Sequence, residues 1–104
     1  MTKNSTFKAP AHLKAATQTW WLGVEAVYEL EPHHLRLLTL AAEAWDSCTD
    51  AREAVASLGM TYDDRFGQPK ARPEVAIERD SRIAFARLLR ELVLDVGTPE
   101  ARMR

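Results

Sequence analysis

Four arginines, Arg79, Arg82, Arg87 and Arg90, are spaced so that a helix carrying them would set all four on one face. At about 100° per residue they fall within an arc of roughly 140°. Each guanidinium fork can donate two hydrogen bonds to one phosphate, so the row suits a nucleic-acid backbone or an acidic protein. The same row also suits a solvated face on which Glu78 and Glu91 form ordinary surface pairs. On the residues alone both readings stand. A second cationic group, Lys3, Lys8 and Lys14, lies in residues 1–24, which contain no acid.

Other side chains that could do chemistry do not gather into a reactive set. His33 and His34 are adjacent, so on a helix they point about 100° apart and cannot easily share a metal. His12 is remote from them, and no spacing matches a metal-binding motif. Asp63-Asp64 reads as a pair of turn formers with no third ligand. The lone Cys48 excludes an internal disulfide and a multi-cysteine zinc site. There is no glycine-rich phosphate loop, no Ser/His/Asp arrangement and no carboxylate pair with a base beside it. The expectation is a protein that is not an enzyme, with no metal and no cofactor.

Charge and composition narrow the class. The 104 residues carry a net charge of −1, which argues against a monomer that coats nucleic acid by charge alone. The charge is nevertheless segregated: residues 25–64 hold nine acids against Arg36 and Arg52, and residues 65–104 hold nine basic groups against six acids. Such segregation permits a basic surface built from the two chain ends, or head-to-tail association. Hydrophobic residues at 46% and charged residues at 28% belong to a globular domain, and four glycines and five prolines favour long helices over a many-turned sandwich. No apolar run is long enough to span a membrane, and the first residues lead into no apolar stretch, so no signal peptide is expected.

The elements that must position these residues follow from periodicity. Residues 1–12 lack it and read as a flexible arm; 13–95 read as a single helical domain; 96–104 form a tail. Leu13, Ala16, Trp20, Val24 and Val27 recur at steps of three and four, predicting a helix over about 13–29, with Trp21 and Tyr28 extending its apolar face. Pro32 suits the first turn of a second helix and Gly59 its left-handed end, giving a rod of about 27 residues and 40 Å. Its stripe is Leu35, Leu38, Ala42, Trp45, Cys48, Val55 and Leu58. The stretch from Met60 to Lys70 predicts a short β-hairpin or ordered loop around an Asp/Gly turn. Pro73 opens a third helix of about 73–93, with Ile77, Ala84, Phe85, Leu88, Leu89 and Leu92 as its apolar stripe. The fold class is mainly α: a long antiparallel helix pair, a hairpin and a third helix. Trp20, Trp21 and Trp45 fall on the faces expected to meet, as core or as subunit interface. A 27-residue rod in so small a domain hints at oligomerisation.

Taken in order, several pieces resemble one family. They are Pro10-Ala11-His12-Leu13, Trp20 or Trp21 leading to Tyr28-Glu29-Leu30, the helix around Leu35 to Asp46, Gly59, Asp64-Arg65-Phe66-Gly67-Gln68-Pro69-Lys70, Pro73, and Glu78-Arg79-Asp80-Ser81-Arg82 leading to Phe85 and Leu88-Leu89-Arg90-Glu91-Leu92. Together, over about residues 9–95, they resemble the P27 family of phage terminase small subunits. The departures are local: Arg72-Pro73 where the family often has His-Pro, Leu92-Val93-Leu94 where it often has Leu-Gly-Leu, and Lys14 where a Ser or Thr is common.

The resemblance implies a non-enzymatic part of a genome-packaging motor, acting in the bacterial host's cytoplasm. Its partners would be viral double-stranded DNA, the terminase large subunit that holds the ATPase and nuclease, and further copies of itself in a ring. DNA contact would then fall to Arg79, Arg82, Arg87 and Arg90, with Lys3, Lys8 and Lys14 adding affinity. A ring would repeat a modest arginine row into a continuous basic surface. Two other readings stand beside it: a small dimeric helical DNA-binding regulator, and a structural adaptor that grips an acidic protein.

Overall fold

The computed structural model describes residues 7–96, and these form a rod of 63 × 24 × 19 Å. Helix α1 spans Ala15–Val27, α2 Pro32–Leu58 and α3 Pro73–Val96, with a hairpin of β1 (Thr61–Asp63) and β2 (Pro69–Ala71) between α2 and α3. The mainly α class, the long antiparallel pair, the hairpin and the third helix are all present. Residues 1–6 of the expected arm and 97–104 of the expected tail lie outside the described residues.

The second helix has the bounds its sequence set. Pro32 occupies its first position, and its start is closed by a reciprocal cap: the Glu31 side chain accepts from the His34 amide, and His34 Nδ1 accepts the Glu31 amide at 2.9 Å. His34 is buried there. Gly59 ends the helix at φ 88° and ψ 176°, its amide reaching Val55 O at 2.8 Å. That conformation lies outside the left-handed helical basin expected for it, in a region nearly exclusive to glycine.

The closest packing is between α2 and α3, which run antiparallel: Arg52 lies near Glu78, Trp45 against Phe85, and Leu38 shares the core with Leu92. Helix α1 lies against α2, also antiparallel, with its start beside Asp46 and Asp50 and Trp21 beside Thr39. The buried core is small, comprising Leu13, Trp21, Leu38, Ala42 and Leu92, with half-buried side chains such as Trp20, Val24 and Leu35 packed on it. Cys48 is buried as its stripe position suggested.

Three stripe assignments need correction. The buried face of α1 is Thr17, Trp21 and Glu25, whereas Ala16 is exposed and Trp20 and Val24 are half-buried. Two of those three are polar, so a pattern of apolar residues alone selects a neighbouring face. On α2, Trp45 and Leu58 are exposed, at 45% and 57%, and on α3 Ile77 is exposed at 45%. Helix α1, with 13 residues, covers only part of the length of α2 and α3, so parts of each stripe stay in solvent.

Candidate nucleic-acid interface

Helix α3 carries the arginine row because Pro73 and Glu74 start it cleanly and nothing breaks it through Val96. All four guanidinium groups are solvent-exposed, and the row divides in two. Arg79 Nε pairs with the neighbouring Asp80 at 3.1 Å, and Arg82 pairs with Glu78 one turn earlier. Glu78 also stands 3.8 Å from Arg52 of α2, so it ties the first half of the row to the helix pair. Arg87 and Arg90 form no ion pair among the described residues. The unspent cationic charge of α3 therefore sits in its second half.

The lysines of the first segment are placed differently. Lys3 lies outside the described residues, and Lys8 is exposed. Lys14 Nζ stands 2.6 Å from Asp50 Oδ1, on an open surface. The hydrogen bond that Lys14 donates to Asp50, then the Asp50 charge, holds the ammonium above the ordinary value of 10.5, with Glu53 and Asp46 adding to the field. Lys14 is thus already partnered by an acid of its own chain.

That contact belongs to a larger arrangement that sequence spacing did not reveal. Glu43, Asp46 and Asp50 lie at i, i+3 and i+7 on α2, one above another. Glu43 holds His12 Nε2 at 2.7 Å. Asp46 accepts the Lys14 backbone amide at 2.9 Å and the buried Thr17 hydroxyl at 2.6 Å. Lys14 starts α1 without a cap from its own side chain, and α1 has no acid in its first turn. Asp46 supplies from α2 both the acceptor and the negative charge that a helix start favours. The partners are about thirty residues apart, so only the composition of α2, acidic on one flank, could have signalled them.

The three tryptophans also separate. Trp21 is buried and donates from Nε1 to Thr39 Oγ1 at 3.2 Å. Trp20 and Trp45 meet through Phe85 of α3, whose ring centroid is 6.0 Å from one and 5.1 Å from the other, at interplanar angles of 52° and 57°. Beside this trio, Trp20, Val24, Tyr28, Phe85, Leu89 and Leu92 line much of an apolar groove of about 150 Å³ between α1 and α3. Among the described residues, no three His, Cys, Asp or Glu side chains gather as a metal site requires, and no helix is long and apolar enough to cross a membrane.

Comparison with known proteins gives one family. The model of a family described as phage terminase, small subunit, matches residues 21–104. No curated protein and no solved structure matches the chain.

Proposed function

The chain belongs to the phage terminase small-subunit family, and from that premise we propose that it is the DNA-recognising, non-catalytic subunit of a packaging motor. It binds viral double-stranded DNA in the host cytoplasm, regulates a large subunit that carries the ATPase and nuclease, and assembles as a ring, in the manner of the P27 members. The observation that carries the reading is the arginine row of α3, with Arg87 and Arg90 exposed and in no ion pair among the described residues. Two unpaired guanidinium groups per protomer are weak alone, and repetition around a ring multiplies them.

Assembly is supported by the apolar surface that one protomer leaves in water. Leu22, Leu40, Trp45, Ile77, Ile83 and Val93 are all exposed along the helices, on a rod whose buried core is only a few side chains. Burial against further copies removes that surface from solvent. Within the row, Arg79 and Arg82 exchange an intramolecular acid for phosphate on binding, so they contribute less than Arg87 and Arg90. Lys8, Lys3 and Lys14 add affinity from the first segment, Lys14 least because Asp50 holds it.

The test is binding of double-stranded DNA across a salt series, with native mass spectrometry of the same protein. An Arg87→Ala/Arg90→Ala variant should bind all duplex sequences more weakly and with a salt slope shallower by about 1.8 per protomer engaged. Unchanged affinity and slope would remove the row from the interface. A strictly monomeric protein at micromolar concentration would remove the ring.

A further inference from the structure

The hairpin between α2 and α3 is exposed on both strands, and two short strands alone are marginal in water. Its geometry is nevertheless fully specified. Asp64 N donates to Gln68 O at 2.9 Å, and Asp64 Oδ1 accepts the amides of Phe66 at 2.8 Å and Gln68 at 3.0 Å. Gly67 takes φ 77°, as a three-residue hairpin loop requires. At the base, Arg72 N donates to Met60 O at 2.9 Å. An ordered hairpin with no core beneath it is a presented surface.

Its register decides what that surface carries. Tyr62 pairs with Lys70, and Thr61 and Asp63 pair with Ala71 and Pro69. Alternation therefore places Tyr62, Lys70 and Arg72 on one face, with the Arg72 guanidinium 5.9 Å from the Tyr62 ring centroid. At the tip, Phe66 is 74% exposed and the Arg65 guanidinium lies 4.8 Å from its ring centroid. Asp63 belongs to the opposite face. Asp64 has committed a carboxylate oxygen to the turn. The tip and the Tyr62 face thus hold three cations and two aromatic rings, and their one acid is held in the loop.

We infer that this hairpin is a second contact for double-stranded DNA, with Arg65 and Lys70 on phosphates and Phe66 against the bases of the groove that receives the tip. Charge complementarity selects the ligand: three cations beside exposed rings suit a polyanion with apolar base edges. A two-stranded ribbon fits the major groove, and exposed aromatic side chains serve as wedges in other DNA-binding proteins. Position agrees as well. Along α3, Arg90 stands about 26 Å from Pro73, where the hairpin joins, within one helical turn of DNA at about 34 Å. That separation is within the reach of one duplex.

The inference rests on the reading of this chain as a DNA-binding subunit, and the experiment keeps the two apart. Four forms of the full chain are compared on a short duplex of arbitrary sequence across a salt series: wild type, Arg65→Ala/Lys70→Ala, Phe66→Ala and Arg87→Ala/Arg90→Ala. The hairpin double variant should show a salt slope shallower by about 1.8 per hairpin engaged. Phe66→Ala should bind more weakly with the slope unchanged, because it removes no charge. All are surface substitutions, so thermal midpoints should match wild type. If the hairpin variants bind DNA as wild type does while the α3 variant is weakened, the inference fails and the proposed function stands. If the hairpin variants keep DNA binding and lose the large subunit instead, the hairpin is a protein contact and the inference is overturned. If wild type binds no duplex, both readings fall.

Discussion

Asp46→Ala tests whether one carboxylate of α2 fastens α1 to the rod. The substitution removes the acceptor for the Lys14 amide and the Thr17 hydroxyl together. Loss of a helix cap costs about 1 kcal/mol, and loss of the charge at the helix start a further 0.3–1 kcal/mol or so. The hydroxyl of Thr17, a residue only 4% exposed, is left without its acceptor at a cost of about 1 kcal/mol or more. The sum is about 2–3 kcal/mol, which lowers the melting midpoint of a domain this size by roughly 10 °C or more. Asp46→Asn retains one side-chain acceptor and should lose about half as much. Calorimetry or circular dichroism at one fixed protein concentration measures both, since assembly makes the midpoint concentration-dependent. A cycle with Thr17→Val should give a coupling of about 1 kcal/mol. An Asp46→Ala protein within about 0.5 kcal/mol of wild type, or strict additivity with Thr17→Val, would refute the cross-helix cap.

Phe85→Ala removes the ring shared by Trp20 and Trp45 and should destabilise by about 2–3 kcal/mol, with a red shift of tryptophan fluorescence as both indoles gain water. Gly59→Ala meets no atom within 4 Å, so any loss comes from the backbone; about 1–3 kcal/mol is expected at φ 88°, read by thermal melting. The Lys14–Asp50 pair raises the lysine's folded pKa, so its contribution is complete below the unfolded value and is lost as pH rises through the folded one. The stability difference between wild type and Lys14→Met should therefore vanish in strongly alkaline solution, and it should shrink with added salt at neutral pH, because the pair is exposed.

Punctuation made much of the fold legible. Pro32 and Gly59 bracket α2, Pro73 opens α3, and the Asp/Gly turn closes the hairpin, because each of these residues restricts or relaxes the backbone locally. Faces were harder to read than ends. Thr17 and Glu25 occupy the buried side of α1, and Thr17 is satisfied by Asp46 of another helix, a partner that periodicity within α1 cannot reveal. Trp45 sits on the expected stripe yet half in solvent, since α3 offers it one ring and no lid. In the candidate interface the i,i+4 pair of Glu78 and Arg82 was readable from spacing. The division of the arginine row into a paired and an unpaired half required the side-chain geometry.

The segregation of charge along the chain has a use inside the protomer. Glu43, Asp46 and Asp50, three of the nine acids in residues 25–64, face His12, the start of α1 and Lys14. These contacts draw the first helix onto the acidic flank of the second and cover that flank with the chain's own imidazole, ammonium and amide groups. Head-to-tail attraction between copies is weakened to the same extent, because three of the acids that would drive it are engaged and the Debye length in physiological salt is only about 8 Å. Left over on the far part of the rod are Arg87 and Arg90, and on the hairpin Arg65 and Lys70, none of them in an ion pair among the described residues. A chain with a net charge of −1 can thus present a basic edge, since internal pairing has spent its acids unevenly. Breaking the acidic ladder with Glu43→Gln/Asp50→Asn should therefore leave the α3 and hairpin edge unaltered. On the proposed function it should raise DNA affinity slightly by removing two negative charges, and a fall in affinity would show that the ladder, not the edge, orients the proposed DNA contacts.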